Sequence, residues 1–498
     1  MVFGEQHATF RELDGAANAL ANALIGYGLT PGDRIAMLLG SGIDLVIALF
    51  AASKAGAASV MMNPRWTRTE LRSAFAATGP KAVIATQSEM LAHTDLPDLC
   101  ISASSLDVEG WTRLWDLIAT GHGRRPDVLV PDWLELEAVL PFSSGTTGLP
   151  KAAIHTHGSI VAATLQWKAA GAMRSSDRML LFLPIFHVYG LITLAAAIAS
   201  RARLTLMERF DAHEVLDIIE REQSTMTFGA APVAIALADV PDLETRDLSS
   251  LRYVCWGATP MDVHLADEVT RRSGIRWLHA YGATEAPLLH CNPVDHSEQW
   301  RLDSPGLPVS DLEVKIVDLA TRQPVPSGTT GEVLVRGPQL IRGYLPSRDD
   351  DDPFEDGWLR TGDIGWVEDA GWIHLVDRAK EMIKVNAFQV APAELESVLL
   401  SHPAVADCGV FGVPDRRTGE APVAAVSLEL SQADVTAEEL VAWVAGRVAR
   451  YKRVRQVMTT DHIPRTASGK VLRRELKARW LEAGSMQHPS GPGVSGQE

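Results

Sequence analysis

Cysteine is scarce in this chain. Its 498 residues hold four, Cys100, Cys255, Cys291 and Cys408, and no two form a C-x-x-C pair. That spacing argues against a disulfide scaffold or a thiolate zinc site, and it fits a reducing, cytoplasmic setting. Basic charge is short as well: 46 Lys and Arg face 62 Asp and Glu, for a formal net charge of −16. Nucleic acid and anionic membranes both select basic surfaces, so neither is expected as the main partner. Long apolar runs are missing. The best stretch, 45–62, carries Lys54 and several small residues. It reads as a buried helix followed by a strand, not as a membrane span, which needs about 20 apolar residues. The first residues, Met-Val-Phe-Gly-Glu-Gln-His, have neither a basic n-region nor an apolar h-region, so no signal peptide is expected. No Walker run of Gly, four residues and Gly-Lys-Ser/Thr occurs, and no repeat period stands out.

What is present is ordinary globular material, 46% hydrophobic and 22% charged. The length is enough for two to four domains. Through the first half, strand-length apolar runs alternate with helical patterns. Strands are expected at 34–39, 58–62, 82–85, 179–184 and 252–255, and helices at 43–55 and 212–221. This alternation predicts an α/β fold with largely parallel sheets. From about Gly306 the texture turns β-rich, with strands expected at 313–317, 331–336 and 372–376. Beyond Asp377 a second, smaller α/β unit is expected, with helices from 392 and over 437–449 and strands at 408–413 and 423–430. The Gly/Ser/Pro-rich end, 487–498, predicts a disordered tail.

The most informative stretch is Ser143-Ser144-Gly145-Thr146-Thr147-Gly148-Leu149-Pro150-Lys151. Two glycines let the backbone approach a ligand closely. Successive N–H groups make a concave anion site, and Lys151 adds a point charge. Those parts suit a polyphosphate; a Ser/Thr/Gly surface turn is the plainer alternative. The apolar run 138–142 favours a loop launched from a strand.

Other candidate sites follow. His279-Ala280-Tyr281-Gly282-Ala283-Thr284-Glu285 closes an expected strand, and ligands of α/β sheets bind at strand ends. Tyr281 can stack on a base, Thr284 can donate to a phosphate, and Glu285 can hold Mg²⁺, which prefers oxygen; an ordinary strand-to-loop transition with a solvated Glu is the plainer alternative. Gly357-Trp358-Leu359-Arg360-Thr361-Gly362-Asp363 puts a carboxylate after a turn, fit to accept both ribose hydroxyls or simply to end a hairpin. The charge-rich run 377–384 lies where the texture changes, as an inter-domain hinge or a solvated linker would. Pro464-Arg465-Thr466-Ala467-Ser468-Gly469-Lys470 presents a lysine at the tip of a Gly/Ser loop. His187 ends a strand-like segment among apolar residues. His155 and His157 form an isolated H-x-H with no third ligand nearby, and both are read as structural.

Taken in order, these motifs resemble the adenylate-forming superfamily of acyl- and aryl-CoA synthetases, peptide-synthetase adenylation domains and luciferases. The resemblance runs from about Thr9 to Arg479, and the segment 388–396 is most similar to the coumarate-CoA-ligase and luciferase branch. It implies an N-terminal adenylation domain over 1–378, with parallel α/β layers and a β-rich subdomain. It also implies a mobile α+β domain over 379–485, ahead of the tail at 486–498. The implied reaction joins a small-molecule carboxylic acid to CoA using ATP and Mg²⁺, through an acyl-adenylate. Ser143, Ser144, Gly145, Thr146, Thr147, Gly148, Lys151, Gly257, Ala258, Thr259, Tyr281, Gly282, Thr284, Asp363 and Arg378 would bind ATP or AMP. Lys470, His187 and Glu285 would be catalytic, with Glu285 the metal ligand and Lys380 the hinge. The acid would lie along His187, Tyr189, Thr193, Trp256, Gly257, Ala280 and Gly282. Tyr189 and Thr193 suggest an aromatic acid, and Trp256 a short pocket. CoA would pass Lys384, Asn386, Ala387 and Phe388.

Three departures accompany the likeness. The chain starts later than most members, Ala152 stands where Gly is usual, and Asn386-Ala387 replaces a Lys-Gly pair. The last keeps open an acyl-AMP ligase that loads a carrier protein or an amine. A luciferase-like oxygenase would share the same motifs. A non-catalytic ligand sensor is the reading from another class, but such relatives usually lose the lysine or the glutamate, and Lys470 and Glu285 are both present.

Overall fold

Short aliphatic runs become the interior strands of two large sheets, because a strand covered on both faces must be apolar along its whole length. Ala58–Met61 and Ala82–Ala85 are buried at every position. The computed structural model describes residues 1–87, 91, 95–104, 108–130, 132–143, 151–347, 352–385, 388–415, 417–429, 435–466 and 469–486. The chain divides into two units. The first comprises Met1–Lys315, Leu334–Thr361 and Asp369–Ile373; the second comprises Ile316–Val333, Gly362–Glu368 and His374–Glu498.

In the first unit one sheet has a parallel centre of Trp277–Ala283, Tyr253–Trp256, Met226–Gly229, Arg178–Leu181, Arg203–Leu206 and Val2–Phe3. Ala286–Cys291 and Leu307–Pro308 extend it antiparallel. Side chains alternate across this sheet with the period of two that a strand imposes. Met179, Leu181, Tyr253 and Cys255 enter one core, while Leu180, Phe182, Val254 and Trp256 enter another on the opposite face. The second sheet runs Tyr344–Leu345, Lys151–Ala153, Glu137–Ser143, Ala58–Met61, Arg34–Leu38, Ala82–Ala85, Leu99–Ser102 and Thr112–Arg113. It is parallel from Glu137–Ser143 onward, with Lys151–Ala153 and Tyr344–Leu345 added antiparallel.

The helices start where their side chains cap them. Thr9 and Glu12 form a capping box on Phe10–Gly26, and Asp211 caps Ala212–Glu222, whose Val215, Leu216, Ile218 and Ile219 are buried. Ile43–Lys54 is apolar nearly all round and packs inside the protein. Among the described residues no helix is long and apolar enough to cross a membrane.

The second unit holds the antiparallel pair Val405–Asp415 and Gly419–Leu428. Ile383–Val385 and Phe388–Val390 extend it on one side, and Gln456–Thr459 pairs parallel with Gly419–Leu428. Pro392–Leu400, Ala437–Ala445 and Arg473–Met486 are its helices. The expected α/β character and the smaller C-terminal α+β unit are therefore both present. The β-rich residues 316–333 and 362–368 group with the second unit.

Candidate active site

The strand Glu137–Ser143 ends where the Gly/Ser/Thr stretch begins, and Lys151–Ala153 pairs antiparallel with it, Lys151 opposite Ser143. Ser144, Gly145, Thr146, Thr147 and Gly148 lie outside the described residues. Lys151 Nζ sits 5.9 Å from the centre of the Tyr344 ring. Ala152, at the position where Gly is usual, is fully buried.

Tyr281, Gly282 and Ala283 end the strand Trp277–Ala283, and Thr284 and Glu285 form the turn to Ala286–Cys291. Gly282 is required there, because a Cβ would come within 2.4 Å of the Pro287 carbonyl oxygen. The turn is held from three sides. His155 Nε2 lies 2.8 Å from the Thr284 carbonyl oxygen, Ile341 N donates to the Glu285 carbonyl at 3.0 Å, and the Tyr344 hydroxyl donates to Glu285 Oε1 at 2.6 Å. His155 is fully buried, and burial pushes its pKa down to about 4, so the ring is neutral at pH 7. Tyr281 stacks on His290 with ring centres 5.9 Å apart. Neither nitrogen of His290 finds a partner among the described residues, and burial lowers its pKa to about 3. Ala280 is buried in the strand.

His187 is the N-cap residue of the helix Val188–Ala199 and makes no side-chain cap bond; its ring lies 4.7 Å from that of Phe186. Two residues on, the Tyr189 hydroxyl donates to the Cys255 carbonyl at 3.2 Å, and burial raises the phenol pKa well above its ordinary value. Gly257 lies directly against this ring, since a Cβ there would approach Tyr189 carbons to 3.1 Å. Ala258 holds a φ of +66°, a strained setting for a residue with a Cβ and of the kind that clusters at functional sites. The Thr259 hydroxyl accepts from Ala231 N. Two of the expected acid-pocket residues have their polar groups engaged inside the fold. Thr193 is fully buried and accepts from Trp167 Nε1 at 3.1 Å. Trp256 is also fully buried, bonds Thr259 through its indole N–H, and occupies the face of its strand opposite Cys255.

In the second unit, Asp363 and Arg378 are ion-paired at 2.7 Å. Ala379 N donates to the Gly362 carbonyl at 2.8 Å, which ties the two motifs together. Lys380 and Lys384 are exposed. Asn386 and Ala387 lie outside the described residues; Phe388 opens a strand whose backbone pairs with Val385. Lys470 is exposed on a tight turn, where Thr466 N donates to the Lys470 carbonyl and Lys470 N to the Thr466 hydroxyl. Ala467 and Ser468 lie outside the described residues.

Several contacts of these sites carry no signal in the motifs. Tyr344 and His155 reach the 281–285 turn only through long-range strand pairing. Asp377 accepts from Ala393 N at 2.8 Å and so serves the helix Pro392–Leu400, whose own N-cap, Ala391, has no side-chain oxygen. Its carboxyl pKa is raised, chiefly by burial. Arg473 pairs with Glu396 at 2.7 Å and with Glu381, close to the expected hinge. Among the described residues no three His, Cys, Asp or Glu side chains converge on one point as a metal cage would require.

Comparison with known proteins finds relatives along nearly the whole chain. The family model described as AMP-binding enzyme matches residues 1–345, and that of the AMP-binding enzyme C-terminal domain matches 394–470. The chain is 38% identical to 4-coumarate–CoA ligase 2 of Oryza sativa subsp. japonica, over 95% of this chain and 87% of that one. Among solved structures it is similar to the anthranilate CoA ligase AuaEII in complex with anthranoyl-AMP, with TM-score 0.88, 27% identity, and 97% and 94% of the two chains covered. It is likewise similar to the amide bond synthetase McbA of Marinactinospora thermotolerans, with TM-score 0.85, 28% identity and 96% of each chain covered.

Proposed function

Since this chain belongs to the AMP-binding enzyme family, we propose that it is an AMP-forming acid–thiol ligase that converts a carboxylic acid, ATP and CoA into an acyl-CoA thioester. A carboxylate oxygen attacks the α-phosphorus, the bond to the departing pyrophosphate breaks, and an acyl-adenylate forms. The CoA sulfur then attacks the adenylate carbonyl, the carbonyl–oxygen bond to AMP breaks, and the thiol proton is released to solvent. The end-to-end likeness to proteins named as CoA ligases carries this reading.

Negative charge gathers on phosphoryl oxygens in the first step, so placement and cations should dominate its catalysis. We assign the polyphosphate to the 143–151 loop with Lys151, the base to Tyr281, and the ribose to Asp363 and Arg378. Gly257, Ala258, Thr259, Gly282 and Thr284 complete the nucleotide site. Lys470 neutralises charge between the carboxylate and the α-phosphate. Its place on a small turn supports a residue that serves one domain arrangement and leaves for the next, about a hinge at Lys380. His187 and Tyr189 border the acid, and Lys384 with 386–388 borders the CoA path.

A Mg²⁺ ion fits Glu285. The ion takes hard oxygen donors, usually one or two carboxylates completed by water and substrate phosphates, so no protein cage is needed. When bound, it would offset charge on the ATP phosphates. The residue's own part is to present a carboxylate already fixed by Tyr344. The four cysteines are buried free thiols, which supports placing the reaction in the reducing cytoplasm.

The likeness to an amide bond synthetase favours one second reading, in which an amine or a carrier protein accepts the acyl group. Enzyme, ATP, Mg²⁺ and an accepted acid, incubated with and without CoA, decide between the two. Aromatic acids come first in the screen, since relatives are named for 4-coumarate and anthranilate. CoA-dependent AMP release with acyl-CoA in the mass spectrum is expected. Acyl-adenylate that accumulates until an amine or carrier protein discharges it would overturn the CoA reading.

A further inference from the structure

The segment 341–345 joins two places that the motifs assign to separate tasks. On one side its backbone is laced to the strand leaving the phosphate loop. Arg342 N donates to the Ile154 carbonyl, Ile154 N to the Gly343 carbonyl, and Tyr344 and Leu345 pair with Ala153 and Ala152. On the other side Ile341 N holds the Glu285 carbonyl. Backbone bonds alone therefore fix this segment against both neighbours. The bond from the Tyr344 hydroxyl to Glu285 Oε1, at 2.6 Å, is additional to what the fold requires. It lies in the short range of charge-assisted O–H···O⁻ bonds. The same ring carries Lys151 Nζ at 5.9 Å.

We propose that Tyr344 is a positioning residue for Mg·ATP, acting through Glu285. A glutamate side chain free in solution samples many rotamers, and a cation that binds it must freeze them. Tyr344 freezes the carboxylate beforehand and occupies part of one oxygen, so that cost is removed from metal binding. Its contact with Lys151 through the ring places the phosphate-loop cation and the metal carboxylate on one side chain. A change in one is thereby felt by the other. The inference rests on the ligase reading of the site.

The test uses the full-length protein and the non-cleavable analogue α,β-methylene-ATP, titrated by calorimetry at a series of Mg²⁺ concentrations with no acid present. The wild-type chain must show Mg²⁺-dependent binding; without it the ligase reading falls, and this inference with it. Tyr344→Phe keeps the ring and loses the donor. It is expected to raise the Mg²⁺ concentration for half-maximal binding roughly 10-fold, the lower end of what losing a partner of a metal ligand costs. In a Glu285→Gln background the same substitution should add no further shift, because the two residues act as one unit. Tyr344→His retains a ring N–H and should recover part of the affinity; it also serves as the second variant should the Phe form fold poorly. An unchanged Mg²⁺ dependence in Tyr344→Phe, or an equal shift with and without Glu285, overturns the proposal while leaving the ligase reading intact.

Discussion

Arg378 Nε lies 2.7 Å from Asp363 Oδ1, so the two residues that the motifs assign to the ribose are partners of each other. The pair stands on neighbouring strands, Trp358–Val367 and Ile373–Arg378. A guanidinium presents several donors in a rigid fork, and a carboxylate presents two acceptors. Each can therefore keep the other while meeting a ribose hydroxyl, and each holds the other in place.

Asp363→Asn should weaken nucleotide binding by roughly 10–100-fold, the scale of one or two lost hydrogen bonds to a charged group. It also deprives Arg378 of its counter-charge. Arg378→Lys should fall in the same direction, because an ammonium lacks the planar fork. Calorimetry with AMP measures both; a wild-type affinity in either variant would remove the pair from the ribose site.

Lys470→Ala should abolish adenylation while largely sparing thioester formation from supplied acyl-adenylate. Deleting one such charge-stabilising group costs about 10²–10³ in rate. Separate assays of pyrophosphate release and of CoA-dependent AMP release check it. Equal losses in the two half-reactions would contradict a lysine that serves only one domain arrangement.

Glu285→Gln keeps an oxygen and the size of the side chain but loses the charge that attracts a hard dication. Turnover should then require more Mg²⁺, by roughly 10-fold or more. A Mg²⁺ titration at fixed ATP reads this directly, and a superimposable curve would exclude Glu285 as the ligand.

Three histidines, His155 and His290 buried and His279 half-buried, make a pH prediction. Burial lowers the pKa of His155 and His279 to about 4 and that of His290 to about 3, from 6.5. Folded, these rings stay neutral where the unfolded chain would take up protons. Their contribution to stability is thus intact above pH 6.5 and is lost as pH falls from there toward 4. With all three rings involved, the slope near pH 5 approaches roughly 4 kcal/mol per pH unit. His290→Phe keeps a ring against Tyr281 and removes two polar nitrogens that have no partner among the described residues. It should flatten the dependence by about a third and stabilise the protein, as urea unfolding at pH 5 and pH 7 would show. The same pH slope in wild type and variant would exclude His290 as a contributor.

Much of this protein could be read from local pattern. Ile43–Lys54, Ala58–Met61 and Ala82–Ala85 fall within a residue or so of their expected positions, because burial on all sides leaves an unbroken apolar run. The strand-end placement of Tyr281 and Gly282, the turn at Lys470 and the order of the motifs were legible for the same reason: each depends on neighbours a few residues away. Which side chains would meet was not. Trp256 and Cys255 are adjacent, and period two puts them on opposite faces. Nothing local says which of those faces meets Tyr189, and the packing of the helix Val188–Ala199 settles it. Tyr344 and Glu285 stand 59 positions apart, and His155 and Thr284 stand 129 apart. Their hydrogen bonds exist because two antiparallel strands bring the 341–345 segment and residues 151–155 beside one turn. Propensity and patterning act over a turn of helix or a strand, so they write themselves into sequence. Contacts closed across a sheet depend on register and topology, which no short stretch of residues encodes by itself.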